Sequence, residues 1–200
     1  MTTVRDVAQF LEAFAPAQLA EAWDNVGLLV GGSEQPVERV MTCLTITPDS
    51  VAEAVRTGTN LIVSHHPLPF RPLKRLTSET PDGRLLLALI EAKIAVYSPH
   101  TAFDSAEQGI NQRLADGLRL SNIAPLVPGE APGSGSGRFG RLTAQLTLAE
   151  LAAQVKALLN IEHAQAVGAL EQPVRAVAVA CGSAGEFLAP AHAAGCDVLV

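Results

Sequence analysis

An α/β fold is predicted for this chain by two observations. Short apolar runs of strand length alternate with stretches of helical period, and the runs end at Pro, Gly or polar turn residues. Near-continuous apolar strands belong to a mostly parallel sheet covered by helices on both faces. The chain has 200 residues, 48% hydrophobic and 17% charged, with a mean hydropathy of +0.25, so it has the material for a substantial core and is not disordered.

Val4, Val7, Ala8, Leu11 and Phe14 recur at three- and four-residue steps, predicting an amphipathic helix over 4–15 that Pro16 closes. The turn residues of Trp23-Asp24-Asn25-Val26-Gly27 then give way to a short apolar strand over 28–30. Residues 39–46 are β-branched enough for a strand, 49–57 suit a helix, and 61–63 form a buried strand that stops at Pro67. A helix follows over 84–92, a strand over 94–97 and a helix over 108–117. The stretch 128–137, Pro-Gly-Glu-Ala-Pro-Gly-Ser-Gly-Ser-Gly, has no side chain able to anchor a core and reads as a flexible linker or loop. It separates an N-terminal lobe, 1–127, from a C-terminal lobe, 138–200. The second lobe repeats the alternation, with a helix over 148–159, a strand over 174–180, a helix near 186–194 and a strand over 197–200. Functional residues usually follow the carboxyl ends of such strands, so a lobe that stops at 200 reads as truncated.

Composition excludes several functions. Every apolar stretch falls short of the roughly 18 to 20 residues that a bilayer crossing needs, which argues against a membrane protein. Fourteen basic against twenty acidic residues, net −6, leave little for the electrostatic term of nucleic-acid binding. Cys43, Cys181 and Cys196 are odd in number and lack C-x-x-C spacing, and the N-terminus has no signal-peptide pattern, so a cytoplasmic setting is expected.

Two clusters could carry chemistry. Ser64-His65-His66-Pro67 places two adjacent imidazoles directly after a buried strand, where strand twist can bring neighbours to one crevice and hold metal ions. Tyr97-Ser98-Pro99-His100-Thr101-Ala102-Phe103-Asp104 follows the next strand and offers another imidazole and a carboxylate able to bridge two cations. The competing readings are a pair of turn histidines at 65 and 66, a satisfied turn residue at His100 and a helix cap at Asp104. If His65 and His66 each hold one ion and Asp104 bridges both, each ion has only two protein ligands, where a catalytic zinc has about three plus water. His163 and His192 read as ordinary residues. Cys181-Gly182-Ser183-Ala184-Gly185 follows a strand and could cradle an anion, although a tight turn explains its glycines better. Asp24 and Asn25 suit either polar site groups or a structured turn.

Taken together, Trp23-Asp24-Asn25-Val26-Gly27-Leu28, Ser64-His65-His66-Pro67, His100-Thr101 with Asp104, Gly109-Ile110-Asn111 and Cys181-Gly182-Ser183-Ala184-Gly185 resemble the Nif-three-like family along the whole chain. Its bacterial members are described as type-two GTP cyclohydrolase I homologues. The resemblance implies two similar α/β lobes, a ring-shaped homohexamer and two divalent metal ions (zinc, iron, manganese or nickel). It assigns His65, His66 and Asp104 as metal ligands and puts His100 near the metals, supporting a ligand or contacting substrate, which makes His100 the candidate proton shuttle. The family's remaining ligands, a histidine and a glutamate, lie in a segment beyond residue 200. The implied chemistry is metal-dependent hydrolysis of a nucleotide or other small molecule, with water attacking C8 of a guanine base. The competing function is a non-catalytic metal-binding protein with regulatory or interaction roles.

Overall fold

The computed structural model describes residues 1–200, in the order α1 (Val4–Phe14), β1 (Gly27–Val30), β2 (Val40–Cys43), α2 (Pro48–Thr57), β3 (Leu61–Ser64), α3 (Pro81–Glu91), β4 (Ala95–Ser98), α4 (His100–Ser105), α5 (Ile110–Gly117), β5 (Ser121–Pro128), β6 (Gly135–Thr147), α6 (Leu148–Leu159), β7 (Pro173–Val179), α7 (Leu188–Ala193) and β8 (Val198–Leu199). Three helices start at capping boxes, in which a threonine hydroxyl accepts from the third helical N–H and that residue's side chain reaches back: Thr3 with Asp6, Thr47 with Ser50, and Thr147 with Glu150. No helix is long and apolar enough to cross a membrane.

The chain divides into two units, Met1–Phe103 and Asp104–Val200. In the first, the sheet order is β1-β4-β3-β2, with β2, β3 and β4 parallel and β1 antiparallel to β4. Strand alternation sorts its residues into two cores. Leu61, Ala95 and Tyr97 pack with Val4 of α1, whereas Ile62 and Val96 pack with Val51 and Ala54 of α2 and Leu86 and Leu89 of α3. Because β1 runs the other way, the loop before it opens at the same sheet edge as the loops after β2, β3 and β4; Gly27 lies opposite Ser98.

The second unit carries the order β5-β6-β7-β8. Val174, Val177 and Val179 pack with Leu148 and Leu151 of α6, while Ala178 packs with Leu126 and Ala191. Here the structure corrects the expectation of mostly parallel sheets: β5, β6 and β7 pair antiparallel, and only β7 and β8 are parallel. The prolines at 125 and 128 hide β5 from sequence patterning, yet they are tolerated because β5 is an edge strand.

Of the stretch read as a linker or loop over 128–137, residues 129–134 form the turn of the β5–β6 hairpin and the rest belong to its two strands, while the two units divide at 103/104. Its glycines serve close approach rather than slack: Gly135 has φ +139°, and a Cβ there would sit 2.3 Å from the Val127 carbonyl oxygen. Arg138, 1% exposed, fastens this turn. Its guanidinium donates to the carbonyls of Gly133, Gly135, Gly137 and Ala106 and to Gln112 Oε1.

Candidate metal centre

The centre begins with a run of main-chain bonds that outlasts β3. His65 N donates to the Cys43 carbonyl at 3.1 Å and His66 N to the Leu44 carbonyl at 2.8 Å, so the two histidines continue the ladder past Ser64. Two fully buried serines then pin their carbonyls: Ser64 Oγ donates to His66 O at 2.9 Å and Ser98 Oγ to His65 O at 2.6 Å. Each serine ends an apolar strand at a core position, a cue the sequence displays but one that residue type alone does not interpret.

The imidazoles of His65, His66 and His100 come together, with one ring nitrogen from each lying within 4.8 Å of the others. Ring centroids are 5.1 Å apart for His65 and His66, 5.2 Å for His65 and His100, and 5.7 Å for His66 and His100. Two rings are oriented from behind. His66 Nδ1 pairs with Thr45 Oγ1 at 2.7 Å, and His100 Nδ1 with Asp24 Oδ1 at 2.8 Å. This leaves Nε2 of each as the nitrogen that can bind a cation or exchange a proton, the arrangement that outer hydrogen bonds impose on histidines at metal centres. Three imidazoles suit a borderline divalent cation such as zinc, iron or nickel, so the donor set fits a metal ion.

Asp24 is the anchor of this corner. Its side chain is fully buried, and it takes hydrogen bonds from the Asn25 N–H at 2.7 Å, the Thr101 N–H at 3.1 Å and the Thr101 hydroxyl, in addition to its bond with His100. Burial pushes its carboxyl up, but the bonds from Thr101, His100 and Asn25 outweigh burial and hold it below the ordinary aspartate value. Asp24 closes a turn through its N–H to the Glu21 carbonyl at 2.9 Å and also holds the His100 ring. His100 itself has φ +29°, an uncommon backbone state for a non-glycine residue, and such states persist where the surroundings over-determine them.

α4 carries Asp104 four residues after His100. In the second unit, the Asp104 carbonyl accepts from Asn111 Nδ2 at 3.0 Å, and its carboxylate accepts a hydrogen bond from the Cys181 thiol. Asn111 Oδ1 also accepts the Cys181 N–H at 2.8 Å, tying the two segments together. Burial, followed by the charge of Asp104 and its hydrogen bond, pushes the Cys181 thiol up to about 12, so it is a neutral donor. The competing reading of Asp104 as a helix cap is not met, since α5 begins at Ile110 with Gly109 as its N-cap and no side-chain cap. Gly182 has φ +79° and leads to only a four-residue 3-10 turn over Ala184–Phe187, which favours the tight-turn reading over an anion cradle. His163 and His192 are exposed.

Known proteins share this fold and sequence. The chain is 32% identical over 199 residues to a Clostridium perfringens protein named GTP cyclohydrolase 1 type 2 homolog, covering 98% of this chain and 76% of that protein. It is 37% identical to the protein of the same name in Streptomyces coelicolor, covering 100% of this chain and 72% of that one. Among solved structures, Staphylococcus aureus protein SA1388 superposes with a TM-score of 0.89 at 29% identity, over 99% of this chain and 78% of that chain. A Bacillus cereus protein related to NIF3 superposes with a TM-score of 0.92 at 24% identity, over 100% of this chain and 81% of that chain, a likeness of fold. The sequence profile of Duf34/NIF3 (NGG1p interacting factor 3) matches residues 2–200, and on that match, with these relatives, the chain belongs to the Duf34/NIF3 family.

Proposed function

We propose that this chain is a metal-dependent hydrolase of a nucleotide-like small molecule, working with two divalent ions. The observation that supports this most is the meeting of three imidazoles, two of them oriented by Thr45 and Asp24. The names of the Clostridium and Streptomyces relatives support the nucleotide class. In this reading His65, His66 and Asp104 are the metal ligands, and a divalent ion held by them supplies Lewis-acid polarisation. His100 is the group that moves a proton. With Nδ1–H donated to the Asp24 carboxylate, its Nε2 is the basic nitrogen that takes a proton from the attacking water and returns it to the leaving group. Asp24 keeps that tautomer and steadies the imidazolium that forms. A ring-shaped homohexamer is part of the same proposal, supported by large apolar side chains left in water, among them Phe10, Leu170 and Leu188.

The test is metal per chain and GTP hydrolysis for the wild type, His66→Ala and His100→Ala. The expected result is metal retained in His100→Ala and lost in His66→Ala, with turnover abolished in both. Loss of metal from His100→Ala would make His100 a ligand and end its proton role.

A further inference from the structure

The mouth of the three-imidazole cluster is lined by large apolar side chains standing in water. Trp23 is 61% exposed and Phe70 42%. They come from the loops before β1 and after β3, both at one sheet edge. Trp23 and Phe70 meet edge to face, with centroids 5.9 Å apart and planes at 67°. Each also meets His100, at 6.2 Å and 76° for Trp23 and at 6.1 Å and 84° for Phe70.

These rings are placed by polar bonds rather than left behind by poor packing. Asn25 Nδ2 donates to the Pro69 carbonyl at 2.7 Å, tying the Trp23 loop to the Phe70 loop, and Asp24 beside Trp23 is fastened to Thr101 and His100. Burial in a core is the favourable default for an indole and a phenyl ring, so a built support that keeps both in solvent points to a ligand. Apolar walls around a few convergent polar groups are the make-up of a small-molecule pocket. Broad π faces favour a flat ring, which every nucleobase offers and which a sugar or a phosphate lacks.

We propose that Trp23 and Phe70 form the seat of a planar heteroaromatic ring, holding it beside the imidazoles of His65, His66 and His100. The seat rests on the metal-dependent reading for its chemistry, but ring binding itself needs only the two aromatic side chains.

Trp23 is the sole tryptophan, so indole fluorescence reports this seat alone. The full chain, stripped with a chelator, is titrated with guanosine 5′-monophosphate and with ribose 5-phosphate, which differ only by the ring. The expected result is a saturable change with the first and none with the second. Phe70→Ala, which keeps the reporter, weakens guanosine 5′-monophosphate about tenfold, and Phe70→Tyr restores it. Metal content of both variants on reloading equals that of the wild type. No saturable response, an equal response to ribose 5-phosphate, or unchanged affinity in Phe70→Ala overturns the ring seat. Saturable ring binding by a wild type that takes up no metal supports the seat and sinks the metal reading alone.

Discussion

At the scale of single residues, one buried carboxylate sets the chemistry of one imidazole. Asp24 was legible as a polar residue in a turn, but its partners, His100 and Thr101, lie 76 and 77 residues away, and no local pattern announces them. Asp24→Asn keeps the shape and removes the charge. It is expected to release the Nδ1–H tautomer of His100, seen as a change in imidazole nitrogen shifts by NMR with the circular dichroism of the fold unchanged; identical shifts would show that Asp24 does not set the tautomer. Arg138 makes five hydrogen bonds within the second unit. Arg138→Met leaves four carbonyls and one amide oxygen without their donor, and a drop of at least about 3 kcal/mol in urea unfolding is expected. Arg138→Lys should not rescue it, because an ammonium lacks the planar fork that reaches several carbonyls at once.

At the scale of elements, helix positions were legible because period and caps are local. The helix expected over 148–159 is α6 itself, preceded by Thr147 with Glu150 at the third position. The Glu150 carboxyl is held below its ordinary value by the Thr147 N–H and then by the Thr147 hydroxyl. The folded chain therefore binds this proton more weakly than the unfolded chain. The stabilisation is present above the unfolded carboxylate value and is lost as pH falls through the folded one. Glu150→Gln should accordingly narrow the stability gap from wild type on acidification, as read by unfolding midpoints at neutral and acid pH; a gap independent of pH would remove the charge from the cap. Strands were less legible. β3 and β4 are central and apolar throughout, whereas β5 and β6 are broken by Pro and Gly and lack a recognisable period.

At the scale of the whole molecule, assembly is the property to measure. Light scattering after size exclusion is expected to give six times the 20.9 kDa of the chain, and a monomer would refute the ring. Substituting exposed Phe10 or Leu188 by Ser should lower that mass if their faces are the contacts, with secondary structure retained.

Composition and periodicity were enough for the α/β class, for most helices and for the strand ends that carry His65, His66 and His100, because amphipathic period, proline stops and capping residues act over a few positions. They did not reveal that β5, β6 and β7 run antiparallel, that the glycine-rich stretch 128–137 holds the β5–β6 hairpin turn fastened by Arg138, or that Ser64 and Ser98 pin the histidine backbone. Strand partners and converging loops are chosen by hydrogen bonds between residues tens of positions apart. Only the folded chain brings those groups within reach, and so only the tertiary structure could place Asp24 behind His100 and two aromatic rings at its mouth.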